Sequence, residues 1–234
     1  MQKICSAHLT NGEKYAKITL LRNGVMEVSC MTQDKETREL LLESAKAEFM
    51  EKGYNKASLR SICSNAGVTT GALYFFFKDK ADLYRAIVGK PVDELFEIMQ
   101  DHFDEDDEII ANADFDGDFD DHSEIAQVLI HHIYSNYDAA ILLLTKSQGS
   151  EYEDIVDRIV DMTESKSVEA MEKLAARNGK KKKVNRYMLH LVIHLVVDSF
   201  VHLVTHEPDE KKALANIRKV FKMTMHNWKE TVLD

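Results

Sequence analysis

Histidine and carboxylate side chains recur every four residues along one stretch of the chain. They are His190, His194, Asp198, His202 and His206. Side chains four residues apart lie on one side of an α-helix, so His190, His194 and Asp198 are three potential zinc ligands. Because four residues overshoot one helical turn, the row drifts around the helix and one ion cannot meet all five groups. The pattern leaves three roles open: a metal site, part of a ligand pocket, or hydrogen bonds in helix packing.

The acidic tract 104–121 is a second candidate for metal chemistry, with the sequence D-E-D-D-E-I-I-A-N-A-D-F-D-G-D-F-D-D. Within 112–124, six positions match a calcium-binding EF-hand loop. The position that should hold a bidentate glutamate is Ser123, and Glu124 comes one residue late. A solvated acidic loop is therefore the prediction for this tract, with a calcium site as the alternative.

A different chemistry is indicated by residues 57–83, which run A-S-L-R-S-I-C-S-N-A-G-V-T-T-G-A-L-Y-F-F-F-K-D-K-A-D-L. Ser58 can cap a short helix whose apolar residues have helical spacing: Leu59, Ile62, Cys63 and Ala66. Gly67 ends that helix. The segment therefore predicts a helix followed by a tight glycine turn.

A second short helix is predicted directly after this turn. Thr69 and Thr70 can cap it, and Leu73 and Phe77, four residues apart, are expected to face the core. Two helices joined by so short a turn leave the outer side of the second one exposed. A helix presented in this way fits the major groove of DNA.

In this segment the chain resembles the tetracycline-repressor (TetR) family of bacterial transcription regulators. The resemblance covers residues 34–88 and rests on Phe49, Gly53, Tyr54, Ser58, Arg60, Ile62, Ala66, Gly67, Val68, Thr69, Gly71, Leu73, Tyr74, Phe77, Lys78, Asp79, Lys80 and Leu83. It implies an all-α protein with an N-terminal three-helix helix-turn-helix DNA-binding domain. A larger helical-bundle domain for ligand binding and dimerisation would follow.

Geometry and the resemblance together predict the DNA contacts. The second helix opens with short side chains that let its backbone approach the groove, and Tyr74 can place its hydroxyl on a phosphate. An alternative puts Phe75 and Phe76 partly in the core. The predicted contact residues are Ser58, Arg60, Thr69, Thr70, Gly71, Ala72, Tyr74, Phe75, Lys78 and Lys80.

Three regions are expected along the chain. Residues 1–30 form an N-terminal extension of uncertain role, in which β-prone runs flank Arg22-Asn23-Gly24, a hairpin signal. Residues 31–90 form the DNA-binding domain, and 91–234 the effector-binding and dimerisation domain. Apolar periodicity predicts helices over 34–52, 80–88, from Pro91 onward, 124–146, 151–178, 185–206 and 209–233.

Further expectations concern particular helices of the larger domain. Pro91 is expected in the first turn of its helix, and Val128 on a buried face. The helix over 185–206 is apolar on most sides, which predicts burial on more than one side. By the resemblance, the last two long helices form a homodimer interface.

Candidates for lining an effector pocket are aromatic, polarizable or polar residues of the larger domain, with core packing as the alternative role. They are Tyr134, Tyr137, Met162, Met171, Met188, His190 and His194. By the resemblance, a small-molecule effector would bind there and weaken operator binding. It must prefer the state that cannot bind DNA, because equal affinity for both states shifts nothing.

Charge, cysteine content and the absence of certain motifs narrow the classes of function that the chain can have. The chain has 234 residues and a net charge of −10, but residues 91–178 alone hold 24 acidic and 5 basic residues, so the acidity does not exclude DNA binding elsewhere. Three scattered cysteines without a CxxC pair indicate a reducing cytoplasm. Charged residues and histidines interrupt the apolar run 189–204, so no membrane span is expected. The chain has no glycine-rich phosphate loop or GxSxG turn, and neither an enzyme nor a cofactor is expected.

The sequence thus predicts a dimeric repressor of transcription that binds a palindromic double-stranded DNA operator and is released by a small molecule. One alternative is a metal-sensing regulator that uses the His190, His194 and Asp198 row or the loop 112–124. The other is a non-DNA binding module that has kept a degenerate helix-turn-helix.

Overall fold

A computed structural model describes residues 18–20, 26–111, 123–177, 184–225 and 232 of the chain. This part of the chain is built almost entirely of α-helices, as predicted. Its elements are β1 (Ile18–Leu20), β2 (Met26–Val28), α1 (Ser29–Lys56), α2 (Leu59–Asn65), α3 (Thr70–Phe76), α4 (Lys80–Ala111), α5 (Ser123–Ser135), α6 (Tyr137–Lys146), α7 (Ile155–Arg177), α8 (Arg186–His206) and α9 (Glu210–Met225).

The predicted N-terminal hairpin is confirmed by its strands. β1 pairs antiparallel with β2, and Ile18 lies opposite Val28. The Asn-Gly turn that the sequence places between them lies outside the described residues.

The chain divides into two compact units. The first contains the described residues up to Glu51 together with Ala57–Leu83, and the second contains Lys52–Lys56 and the described residues from Tyr84 onward. Helices α1 and α4 therefore each contribute residues to both units. The domain limits drawn from the sequence, 31–90 and 91–234, stay a prediction.

The core of the first unit is formed by the residues that helical spacing predicts. From α1 it takes Leu41, Ala45 and Phe49, all fully buried. Helices α2 and α3 and the residues after them add further buried side chains: Ile62, Cys63, Leu73, Phe77 and Leu83. A three-helix unit of this size depends on such burial, because helices of seven residues are not stable alone.

Two backbone hydrogen bonds close the turn between α2 and α3. The Val68 amide donates to the Cys63 carbonyl at 3.0 Å, and the Gly67 amide donates to the Ser64 carbonyl at 3.2 Å. This is a Schellman motif, which requires a left-handed residue after the helix. Gly67 supplies it with a φ of 68°. Thr69 then caps α3 by accepting the Ala72 amide at 3.2 Å, as predicted.

A buried carboxylate holds the start of α2. Glu48, on α1, is almost fully buried and accepts hydrogen bonds from the Ser58 amide at 3.1 Å and the Ser61 hydroxyl at 2.9 Å. Ser58 itself caps α2 by accepting the Ser61 amide, which confirms the predicted cap. A negative charge beside the first amides of a helix is favoured by the helix dipole. On α1, Ser44 also donates its hydroxyl to the Ile62 carbonyl at 2.8 Å, so contacts with α1 hold α2 at two points.

The prediction that Pro91 begins a helix is wrong, because α4 continues through it. Proline has no amide hydrogen, so the Ile87 carbonyl loses its usual helical donor at this point. The carbonyl of Pro91 itself has a partner outside α4. His132 of α5 places Nε2 at 2.8 Å from the Pro91 carbonyl oxygen, which ties α5 to α4 at the proline.

The predicted single helix over 124–146 is two helices, α5 and α6. Asn136 separates them with a non-helical backbone (φ −119°, ψ 36°), and its side-chain amide donates to the His132 carbonyl at 3.0 Å. The predicted buried face of α5 is also wrong at Val128, which is 47% exposed. Ala126 and Ile130 are fully buried instead, because they pack against Ala213 and Ile217 of α9.

Tyr84 joins three segments within the second unit. Its ring packs edge-on against Tyr54 at a centroid distance of 5.1 Å, and its hydroxyl donates to the Leu142 carbonyl of α6 at 3.1 Å. Burial raises the pKa of Tyr84 well above its usual value, so the hydroxyl stays a donor. Beside it, Arg85 forms two hydrogen bonds of 2.8 Å with the Glu151 carboxylate. These contacts hold the start of the second unit's part of α4 against α6 and the segment that follows it.

Helices α7, α8 and α9 complete the second unit. Gly149, with a φ of 84°, lies between α6 and α7, and α7 begins at Ile155, later than the sequence indicates. Helix α8 matches its predicted range to within one residue and is capped by Asn185. Helix α9 is described as far as Met225, and the rest of its predicted range, 226–231, lies outside the described residues.

Helix α8 is buried on two sides, as predicted, and is open on a third. Leu189 and Ile193 pack into one core with α7, and Phe200 and Leu203 pack towards α5 and α9. The remaining side is open: Tyr187 is 75% exposed, Leu195 is 52% exposed, and Leu191 between them is exposed as well. In the described part of the chain, α8 is the one helix that is long and apolar enough to cross a membrane.

The backbone requirement at Gly67 generates a paired prediction. A methyl group at Gly67 meets no atom within 4 Å, so Gly67→Ala tests only the left-handed backbone and should lower the free energy of unfolding by about 1 kcal/mol. Gly71→Ala is the matched control, because its new methyl group makes ordinary contact and alanine favours the helix; it should raise that free energy by about 0.5 kcal/mol. Urea denaturation measures both. Equal effects of the two substitutions would contradict the Schellman turn.

The role of Glu48 generates a second prediction. Glu48→Ala removes the acceptor of the Ser58 amide and the Ser61 hydroxyl and should lower the free energy of unfolding by about 2 kcal/mol. Glu43→Ala, an exposed glutamate on the same helix, should change it by less than about 0.5 kcal/mol. Chemical denaturation followed by circular dichroism distinguishes the two. Equal losses would show that Glu48 does not hold α2.

Candidate nucleic-acid interface

Helix α3 presents a continuous exposed surface of polar and aromatic side chains. Its inward positions are Leu73, fully buried, and Phe77, 3% exposed, at the residue that follows the helix. Because these two residues face the core, the intervening positions face solvent. The exposed residues are Thr69, Thr70, Gly71, Tyr74 and Phe75, with Ala72 half-buried at the edge.

Two aromatic residues of this surface, Tyr74 and Phe75, are both exposed to solvent. Tyr74 is 58% exposed and Phe75 is 70% exposed, so the alternative that Phe75 lies partly in the core is wrong. Phe76 is half-buried and packs edge-on against the Phe75 ring at a centroid distance of 4.9 Å. Tyr74 and Phe75 are thus neighbours on the exposed side of α3, and neither side chain is part of the core.

The cations predicted to contact phosphate differ in their surroundings. Arg60, in the first turn of α2, and Lys78, after α3, are exposed. Lys80 is half-buried and places Nζ at 3.5 Å from the Ala57 carbonyl oxygen, so part of its hydrogen-bonding capacity is used within the unit. Arg60 and Lys78 are therefore the better-placed phosphate ligands of the three.

Two carboxylates occupy the start of α4, where the sequence predicts a phosphate contact. Asp79 accepts the Asp82 amide at 2.9 Å, and Asp82 accepts the Lys78 amide at 2.9 Å. These side chains fill the positions that a phosphate oxygen would take at a helix N-terminus. A phosphate near this point would interact with the Lys78 ammonium group and not with those amides.

The predicted effector-lining residues fall into two separate groups. Tyr134 and Tyr137 stack at 5.3 Å, and their hydroxyls donate to carbonyls at the end of α8: Tyr137 to Val204 at 3.0 Å, and Tyr134 to Leu203 and Glu207. Burial raises the pKa of Tyr134 to about 12, in keeping with a hydroxyl that remains a donor. These two tyrosines satisfy the last carbonyls of α8, a role that the sequence does not indicate.

The second group surrounds the contact between α7 and α8. Met171 is buried in that core, Met188 packs against it, and Met162 is half-buried. The His190 Nδ1 atom lies 2.7 Å from Glu164 Oε2, and the His190 ring packs edge-on against His194 at 4.5 Å. The structure therefore brings five of the seven predicted residues to these two helices and places Tyr134 and Tyr137 elsewhere.

The metal-sensing alternative finds no support in the described part of the chain. No group of three or more histidine, cysteine, aspartate or glutamate side chains is placed there to hold a metal ion. At the end of α8, His202 and His206 stack at 4.2 Å, and Nδ1 of His206 lies 2.9 Å from the His202 carbonyl. The acidic loop falls outside the described residues at 112–122.

Glu48 is the functional residue that sequence reasoning missed. It adjoins the apolar Phe49 on α1, and periodicity alone assigns it no role. Two features of the sequence could have indicated its role. Glu48 is a carboxylate next to a core residue, and the helix that starts after Ser58 needs hydrogen-bond acceptors for its first amides.

Comparison with known proteins agrees with this geometry. Residues 41–87 match the family described as bacterial regulatory proteins, tetR family. The HTH-type transcriptional repressor BepR of Brucella suis biovar 1 (strain 1330) is 47% identical over 55 residues, which are 24% of this chain and 26% of BepR. The HTH-type transcriptional regulator AcrR of Shigella flexneri is 36% identical over 101 residues, 43% of this chain and 42% of AcrR. The chain thus spans less than half the length of these curated relatives.

The fold as a whole has a counterpart among solved structures. A transcriptional regulator (TerR/AcrR family) from Aquifex aeolicus VF5 superposes with a TM-score of 0.54, covering 80% of this chain and 98% of the other, at 18% identity. This likeness shows the fold alone, over 80% of the chain, whereas the family match falls on residues 41–87. Over residues 41–87, the chain is thus similar to the tetR family of bacterial regulatory proteins.

Proposed function

We propose that the protein is a dimeric transcription regulator, a repressor, which binds a palindromic operator in double-stranded DNA through α3. The observation that carries the proposal is the exposed surface of α3, held from behind by buried Leu73 and Phe77. The relatives support the same conclusion, since BepR is a transcriptional repressor and AcrR a transcriptional regulator by name. Both are HTH-type regulators by name.

The dimensions and chemistry of α3 suit a DNA groove. An α-helix with its side chains is about 10–12 Å across, which fits a major groove about 12 Å wide. Thr70 can bond a base edge, and Gly71 lets the backbone come close. The Tyr74 hydroxyl reaches a phosphate, and Arg60 and Lys78 add charge-assisted phosphate contacts. Thr69, Ser58, Ala72, Phe75 and Lys80 complete the proposed contact surface, with Ser58 and Thr69 acting mainly as helix caps.

The exposed side of α8 supports the proposal of a homodimer. Tyr187, Leu191 and Leu195 lie four residues apart, so they form one apolar row that a partner must cover. A lipid bilayer is a poor partner, because the same helix carries exposed Asp198 and His202. A second copy of the chain, paired through α8 and α9 about a two-fold axis, covers the row. It also supplies the second copy of α3 that binding to a palindromic site requires.

The second unit is proposed to bind a small-molecule effector that releases the DNA. Helix α4 contributes residues to both units, so a ligand that shifts α4 within the second unit alters the first through the covalent chain. The effector must bind the DNA-incompetent state more tightly to have this effect. The group on α7 and α8, with Met162, Met171, Met188, His190 and His194, offers polarizable and polar contacts for it. A regulator that binds genomic DNA in bacteria acts in the cytoplasm.

The proposal predicts different effects for two residues of α3. Tyr74→Phe removes only the hydroxyl and should weaken binding to all duplexes by about fivefold, because a phosphate contact carries no sequence information. Thr70→Ala should instead reduce the preference for the operator over a scrambled duplex. Fluorescence anisotropy with an operator selected from random DNA measures both, and sedimentation confirms that each variant stays a dimer. Unchanged affinity and preference in both variants would contradict the placement of α3 in the groove.

The dimer interface generates a further prediction. Leu195→Asp places a charge in the apolar row of α8 and should convert the dimer to a monomer at micromolar concentration, with loss of operator binding. Val128→Asp is the matched control, because Val128 is equally exposed but lies on α5, away from the row. Light scattering after size-exclusion chromatography gives the mass of each. A monomeric V128D variant beside a dimeric L195D variant would reject this interface.

A further inference from the structure

Phe75 is the most exposed large apolar residue in the described part of the first unit. The core does not need it, because Leu73 and Phe77 already fill the inward positions of α3. An exposed phenyl ring gains nothing in water, so its position on the proposed DNA-binding surface calls for an apolar partner.

The ring is braced from behind. Its edge-on neighbour Phe76 lies at 4.9 Å, and Phe76 in turn lies 6.4 Å from the ring of the buried Phe77. Three consecutive phenylalanines thus lead from the core to the surface. A ring held in this way loses little freedom on binding, which favours a specific contact.

The neighbours of Phe75 on the helix leave its path to a ligand open. On a helix, the side chains adjacent to Phe75 towards the N-terminus are those three and four residues earlier. These positions hold Ala72 and Gly71, which carry a methyl group and no side chain. Because these two residues are small, the phenyl ring projects beyond them. It is therefore the first apolar group of α3 to reach the base edges in the major groove.

Only one apolar group is offered by unmodified base pairs in the major groove, the C5 methyl of thymine. A phenyl ring has no hydrogen-bond donor or acceptor for any other base edge. We infer that Phe75 contacts a thymine methyl group and selects an A·T pair at one position of each operator half-site. This inference rests on the proposed function, and it adds a specificity-determining residue to it.

Replacing thymine with deoxyuridine tests the inference, because the exchange removes the methyl group and leaves base pairing intact. In the operator selected from random DNA, each thymine of the half-site is exchanged in turn, symmetrically in both half-sites. At one position, wild-type affinity should fall by about fourfold per half-site, the effect of burying one methyl-sized group. At the other positions, affinity should change little.

Phe75→Ala should bind the thymine and deoxyuridine duplexes equally. Leu40→Ala, which truncates another exposed apolar residue of the first unit, should keep the full difference. Circular dichroism checks that both variants fold, and the deoxyuridine series with wild-type protein does not depend on any variant.

Three results overturn the inference. If no thymine position responds in the wild-type protein, Phe75 does not contact a methyl group. If F75A keeps the sensitivity, another residue makes the contact. If F75A keeps the sensitivity and also loses the same affinity on both duplexes, the ring packs against the sugar–phosphate backbone and another residue contacts the methyl group. Failure to enrich any duplex would reject the proposed function itself and is thereby distinct from these outcomes.

Discussion

The orientation of α3 is the constraint on which the proposed activity depends. A helix of seven residues cannot sustain itself, so its direction is set by what it packs against and by the turn that leads into it. Leu73 and Phe77 fix one side in the core of the first unit. Gly67 fixes the turn through its left-handed backbone, and Glu48 holds the start of the preceding helix. The exposed residues of α3 can act on a ligand only because these buried groups define where they point.

The second unit depends on a different physical requirement: the apolar surface of the long helix α8 must be covered. Helix α8 gives one side to α7 and another to α5 and α9, and Tyr134 and Tyr137 satisfy the carbonyls at its end. Its third side stays apolar and open in a single chain. The proposed dimer would cover this side and would also bring two copies of α3 to one DNA molecule. Stability of the body and recognition of a palindrome are then consequences of the same interface.

Local rules predicted the first unit well. Helical spacing identified Ile62, Cys63, Leu73 and Phe77 as core, and cap chemistry identified Ser58 and Thr69, because these signals depend on near neighbours in sequence. The failures lie where distant contacts decide. Pro91 sits inside α4, Val128 is exposed while Ala126 is buried, and Asn136 divides a predicted helix. Ala126 packs against α9 and the Pro91 carbonyl contacts His132 of α5, and periodicity carries no information about such distant partners. Asn136 is the local exception, because its own backbone and its bond to the His132 carbonyl divide the helix.

The central claim is that two copies of α3 bind one palindromic DNA site. Selection of bound duplexes from a random pool, repeated from about 50 to 200 mM salt, tests it most directly. Enrichment of a palindrome whose half-sites are centred about one helical turn apart, with affinity falling steeply as salt rises, is the expected result. A folded, dimeric protein that enriches no sequence, or whose weak DNA binding shows no salt dependence, would contradict the claim.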